Sequence, residues 1–217
     1  MGLNAGTGAR EMKSILMSIQ PYYGFLIIAK AKGWDLEKYG LHEKTVEMRK
    51  RIPTSPDWDN KAAFYFSKDK KSLARIPEEY RGEVAELCGK VVCEFVCDEV
   101  YNFIQAGAGI MFADKELNQL ASQDARDKTC LTDKEIEGYL NNSEGYGLHI
   151  SDLKIYDKPK ELSEFGIPCN CDDFGDGYKC NKCSHQKSIL SFDDIEFYCD
   201  ITITRPPQSW CYVEELD

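Results

Sequence analysis

The run Val91-Val92-Cys93-Glu94-Phe95-Val96-Cys97 is apolar on both faces that an extended chain presents. A strand of that kind is buried, so the rest of the chain has to cover it from two sides. Glu94 stands in the middle of the run. An unpaired ionised carboxylate in a dry site costs several kcal/mol, so Glu94 must either pair with a cation or have its pKa raised. Lys44 or Arg49 is the expected partner.

The remaining elements are short. Ile15, Met17 and Ile19 alternate with Ser14, Leu16 and Ser18 and predict a first strand. Gln20-Pro21 then opens a helix over 21–32, with Pro at its first position and Gly33 ending it. Strands follow over 44–50, 62–67 and 90–100, with a polar and partly helical stretch over 73–87. Residues 105–127 contain Gly107 and Gly109 and read as a loop with a helical segment. Thr132 with Glu135 three residues later forms a capping box that opens a helix over 133–140. The last strands lie in 146–156 and 201–214. Five or six short strands, two or three helices and no regular βαβ repeat predict an α+β fold built on a small barrel with helical additions.

Within 44–50 the side chains alternate, placing Val46 and Met48 on one face and Thr45, Glu47 and Arg49 on the other. The apolar face belongs to the core. The polar face lines up a hydroxyl, a carboxylate and a guanidinium, with Lys44 at the strand entrance. Two readings stand: cross-strand ion pairs worth under about 1 kcal/mol at an exposed site, or a catalytic or ligand-binding cleft completed by Glu94.

A chain of 217 residues is long enough for one good core. Residues 1–11 lack periodicity and read as a flexible leader, so the domain runs over 12–217. The longest apolar stretch near the start, 25–29, is far short of the roughly 20 residues that a membrane span needs, and no signal-peptide pattern precedes it. The chain therefore reads as cytoplasmic. A formal net charge of −10 excludes a protein that coats nucleic acid through bulk electrostatics. Nucleic-acid binding would have to be local, and Lys44, Arg49, Lys50 and Arg51 with Lys61, Lys68, Lys70 and Lys71 form either such a patch or a solvated charged face.

Ten cysteines without a secretory signal imply thiols or a metal rather than disulfides. Cys169-x-Cys171 and Cys180-x-x-Cys183, in a Cys-rich insertion over 166–200, can converge on a tetrahedral zinc with His185 and Cys199 in reserve. Four protein ligands leave no position for a reactive water, so such a zinc would be structural. Free or redox-coupled thiols are the other reading. Cys88, Cys93, Cys97, Cys130 and Cys211 sit mostly in apolar surroundings and read as core residues. No organic cofactor is called for.

Five blocks in order resemble a known family: Met17-Ser18-Ile19-Gln20-Pro21, Glu43-Lys44-Thr45-Val46-Glu47-Met48-Arg49-Lys50, Gly89-Lys90-Val91-Val92-Cys93-Glu94-Phe95, Tyr146-Gly147-Leu148-His149-Ile150-Ser151-Asp152-Leu153 and Arg205-Pro206-Pro207-Gln208-Ser209-Trp210-Cys211-Tyr212. Together they are similar to ASCH-domain proteins, of the type found in phages and prophages. That resemblance implies a PUA-like β-barrel with a cleft beside the first helix that holds a nucleotide or single-stranded RNA. Small members resemble amidohydrolases acting on acetylcytidine through a Lys, a Thr and a later Glu. Lys44 and Glu94 match, while Glu47 stands where that pattern has Thr, so Lys44, Glu47 and Glu94 are the catalytic candidates. Other members are ribonucleases. Lys44, Thr45, Arg49, His149, Arg205, Gln208 and Trp210 are the binding candidates, with Trp210 stacking a base or packing in the core and His149 at the barrel rim. A nucleotide- or RNA-binding module is the leading expectation, with a hydrolase or a protein-interaction factor that engages a host protein as the others.

Overall fold

A computed structural model describes residues 13–56, 58–106, 109–113, 123–141, 143–167 and 201–215. The leader and the four cysteines Cys169, Cys171, Cys180 and Cys183, with most of their insertion, lie outside these residues. In chain order the elements are β1 (Lys13–Ile19), α1 (Pro21–Ile28), β2 (Val46–Arg49), β3 (Trp58–Phe66), α2 (Lys70–Leu73), α3 (Glu78–Leu87), β4 (Val91–Val96) and β5 (Val100–Ala106). Then come β6 (Gly109–Ala113), α4 (Gln123–Asp127), α5 (Asp133–Leu140), β7 (Gly145–His149), β8 (Ser151–Lys160), β9 (Phe165–Ile167), β10 (Ile201–Thr202) and β11 (Trp210–Glu215). No described helix is long and apolar enough to cross a membrane.

The fold is α+β, with two sheets where one small closed barrel was expected. One sheet has the order β10-β9-β11-β1-β3-β4-β8 and the other β2-β7-β5-β6, and neither closes on itself among the described residues. Eleven strands are described where five or six were expected, because 90–100, 146–156 and 201–214 each hold two strands and β6 and β9 are additional. β4 belongs to the first sheet and β5 to the second, and the chain crosses between them at Cys97, Asp98 and Glu99. β7 and β8 repeat the crossing in the opposite direction at Ile150. Strands that change sheet in this way form corners, which bring the sheets together without a closed hydrogen-bond ring. Residues 105–127, expected as a loop with a helical segment, contain the end of β5, its hairpin partner β6 and the short helix α4.

β1 is the hub of the first sheet. It pairs parallel with β3 and antiparallel with β11. Its alternation is real, but both faces are covered: Ile15, Met17 and Ile19 join the main core with α1, Phe64 and Phe66, while Leu16 joins a second cluster with Ala63, Tyr65 and Val91 on the opposite face. α1 is apolar nearly all round and buries seven of its eight residues, as expected of a helix held by packing rather than by an amphipathic stripe. It lies so close to β3 that a Cβ on Gly24 would sit 2.5 Å from the Phe66 ring.

α5 begins as the sequence predicts. Thr132 Oγ1 accepts from the Glu135 N–H at 3.3 Å, and Glu135 Oε2 accepts from the Thr132 N–H at 2.9 Å. Removing the Oγ by Thr132→Ala is expected to cost about 0.5–2 kcal/mol. Urea denaturation of the two proteins checks it, and an unchanged midpoint would mean that α5 is held by Ile136 and Leu140 alone, both of which are buried.

Candidate functional site

β2 is buried along its whole length, polar face included. Val46 and Met48 pack with Phe103, Ile136 and Leu140 in a small cluster of their own. Glu47 is paired with Leu148 of β7, which belongs to the main core, so the polar face turns inward toward α1 and the end of β1.

Lys44, just ahead of β2, has a side chain only 2% exposed. Its Nζ donates to the carbonyls of Val46 and Thr129, both at 2.7 Å, and lies 3.3 Å from Glu47 Oε2. An ammonium has three N–H bonds, and these three partners use all of them. Lys44 therefore organises the site from beneath. Glu47 bridges onward to Arg49, with Oε1 3.0 Å from Nη2, and Nη2 also donates to the Ser18 carbonyl at 2.7 Å. Arg49 Nε is buried and has no hydrogen-bond partner, as is the hydroxyl of Ser67.

These groups form one wall of a cavity of about 590 Å³. The lining also includes a second polar set, Tyr23, Arg75 and Glu135, that the sequence reading missed. Arg75 lies with its guanidinium carbon 3.9 Å from the Tyr22 ring centre, donates to Tyr23 OH at 3.5 Å and reaches Glu135 Oε1 at 3.8 Å. Tyr23 OH also donates to Glu135 Oε1, at 3.4 Å. Burial alone would raise the Glu135 pKa, but the hydrogen bonds from Thr132 and the charge of Arg75 outweigh it and hold the carboxyl below its usual range. Glu135 was legible as a capping residue. Nothing local signals that the same carboxylate also faces a cavity.

The expected site residues divide. Glu47, Arg49, Lys44 and Gln208 line the cavity. The loop bearing Gln208 is fixed by the Ser18 hydroxyl, which donates to the Pro207 carbonyl at 2.6 Å. Thr45 does not line it, and its Oγ1 is buried without a partner. Arg205 is exposed outside the cavity. Trp210 packs against the main core, donates from Nε1 to the Arg51 carbonyl at 2.9 Å and does not line the cavity. His149 Nδ1 is 2.6 Å from Asp98 Oδ1 at a sheet corner, outside the cavity.

Glu94 is the main correction. It neither pairs with Lys44 or Arg49 nor has a raised pKa. Its register partner Ala63 belongs to the cluster on the face of the first sheet opposite α1, and there Glu94 accepts from Lys154 at 3.1 Å and Tyr156 at 3.0 Å. Burial pushes its pKa up, but those two bonds and the lysine charge more than offset this, so it lies below the usual range. A catalytic set of Lys44, Glu47 and Glu94 is not assembled. Four of the five described cysteines lie in the apolar clusters or pack against them, Cys88 being the other, and burial raises every thiol pKa among the five, Cys97 to about 12 and Cys211 to about 11, which makes them weak nucleophiles.

No family model matches the chain, and no curated protein matches it. Its structural neighbours are ASCH proteins. The ASCH protein of Zymomonas mobilis is 16% identical, with 69% of this chain and 74% of that chain covered and a TM-score of 0.40. A tyrosine-to-phenylalanine variant of it gives 15% identity, 69% and 76% coverage and a TM-score of 0.40. A serine-to-alanine variant gives 12%, 70%, 76% and 0.38. Likeness at this level says nothing about what the cavity holds.

Proposed function

We propose that the chain is an ASCH-type module that binds a nucleotide or the end of a single-stranded RNA in the cavity between β2, α1 and α5. One observation carries this reading: the buried Lys44, Glu47 and Arg49 triad forms a cavity wall. Buried ion pairs are costly to desolvate and contribute little net stability, so their presence beside an opening favours a role in binding. The lining holds Lys44, Arg49 and Arg75 against Glu47 and Glu135, a local positive balance within a protein of net charge −10. Phosphate is attracted by such a balance, and Tyr23 and Tyr139 on the rim offer ring faces for a base. The volume suits a mononucleotide better than an RNA helix.

A fluorescently labelled ten-nucleotide single-stranded RNA, titrated at several salt concentrations, tests the reading. Binding is expected to weaken as salt rises, and Arg75→Ala is expected to flatten that dependence by about one phosphate contact. The absence of binding at low salt to the RNA, and to all four mononucleotides, would remove the proposal.

A further inference from the structure

The parallel strands β1 and β3 end side by side, with Ile19 opposite Phe66, and the Ser67 N–H donates to the Ile19 carbonyl at 2.8 Å. α1 starts two residues beyond β1, so its first turn stands over the carboxyl ends of two parallel strands. That is where open α/β sheets commonly hold anionic ligands, and a helix N-terminus adds a partial positive charge.

The backbone of the first turn of α1 shows no free donor, the Gly24 N–H donating to the Gln20 carbonyl at 3.0 Å. Pro21 has no N–H, and the Tyr22 N–H donates to Ser72 Oγ at 3.0 Å. Gln20 supplies no side-chain cap. Two further polar groups converge on the same strand ends. Arg49 reaches the Ser18 carbonyl with Nη2 while its Nε, on a side chain 9% exposed, has no partner. Ser67 Oγ is buried and equally unpartnered. Both residues line the cavity, as do Ser18 and Gln20. A buried donor without an acceptor costs roughly 1–3 kcal/mol. An arginine Nε can only donate, so the missing group must be an acceptor.

Building on the nucleotide reading, we infer that this corner is a subsite for a terminal phosphate monoester, held by Arg49 and Ser67 beside the first turn of α1. The recess of these donors selects an end over a middle: an internal phosphodiester would have to carry chain onward on both sides, whereas a terminal phosphate can be inserted alone. Lys44 and Glu47 fix the Arg49 guanidinium without contacting the ligand.

Calorimetric titration of the whole chain tests this with inorganic phosphate, with each of the four nucleoside 5′-monophosphates against its nucleoside, and with a ten-nucleotide RNA carrying a 5′-phosphate or a 5′-hydroxyl. At least one monophosphate is expected to bind tenfold or more tightly than its nucleoside. Ser67→Asp, which places a like charge in the corner, is expected to bring that ratio to about one. Ser67→Ala, which disturbs no hydrogen bond of the Ser67 hydroxyl, should lower the ratio severalfold, with an unchanged urea midpoint confirming the fold. The RNA pair separates a nucleotide from an RNA end as the source of the phosphate. Nucleoside and monophosphate binding equally well would overturn the subsite and leave the nucleotide reading standing. Inorganic phosphate bound by the parent and lost in Ser67→Asp, with no nucleotide bound, would uphold the subsite and overturn that reading. Failure of both inorganic phosphate and monophosphates to bind would overturn the subsite.

Discussion

Glu47→Ala is expected to lower folding stability by about 3–5 kcal/mol, which is the usual cost of breaking a buried ion pair by removing one partner. The carboxylate stands between two cations, Lys44 at 3.3 Å and Arg49 at 3.0 Å, and all three side chains are less than a tenth exposed. Without it, two cations lose their shared counter-charge on side chains that have little contact with solvent. Chemical denaturation measures the loss. A loss below about 1 kcal/mol, the range of exposed pairs, would mean that the charges are solvated and that no buried triad exists. The companion variant replaces the whole set: Lys44→Met, Glu47→Leu and Arg49→Met together should cost less than the charge-unbalancing Glu47→Ala, because apolar groups often match a buried ion network in stability, with the lost donors to the Val46, Thr129 and Ser18 carbonyls as the remaining cost. A triple variant that folds well but no longer binds RNA would assign the triad to binding.

The second large effect is expected at the contact between α1 and β3. Phe66 is fully buried, and its removal in Phe66→Ala should cost about 3–5 kcal/mol. Gly24→Ala alone should also destabilise. Alanine gains up to about 1 kcal/mol over glycine in a helix, but its Cβ would lie 2.5 Å from Cζ and 2.7 Å from Cε1 of a ring that burial holds in place. Overpacking of this kind costs about 1–3 kcal/mol, so the clash wins. In the Phe66→Ala background the clash disappears and the methyl group occupies part of the void. Gly24→Ala should then change sign and stabilise. A double-mutant cycle in urea reads this directly, and additive effects would show that α1 does not rest on Phe66.

Elements set by neighbouring residues were legible in the sequence. The capping box of Thr132 and Glu135 is a contact across three residues, and Gln20-Pro21 opens α1 for equally local reasons. The sheet corners were not. Cys97-Asp98-Glu99 and Ile150 are breaks in otherwise continuous strand patterns, and only the arrangement of two sheets decides that the chain turns there. Glu94 lies on the other face of β4 from Cys93 and Phe95, and a sequence pattern that is apolar on both faces does not reveal which face meets α1. The polar face of β2 was recognised, while its burial followed from backbone carbonyls of Val46 and Thr129 accepting from Lys44, one of them 85 residues away. Tyr23, Ser67 and Arg75 belong to three separate segments with no shared spacing, so their convergence on Arg49 and Glu135 is a product of topology alone.

The pairing of β1 with both β3 and β11 also governs how the chain is made. Ile15 finds one neighbour at Ala62 and the other only at Tyr212. At ribosomal speeds of about 5–20 residues per second, roughly 7–30 s pass between the emergence of the first partner and that of the second. Throughout that interval β1 is a sheet edge with its hydrogen-bonding groups unmet, which is the condition that invites pairing with another chain. Contacts of such long sequence separation also slow folding. The hub that holds the finished sheet together is thus its most exposed part during synthesis, and chains released before β11 emerges should be the ones that aggregate.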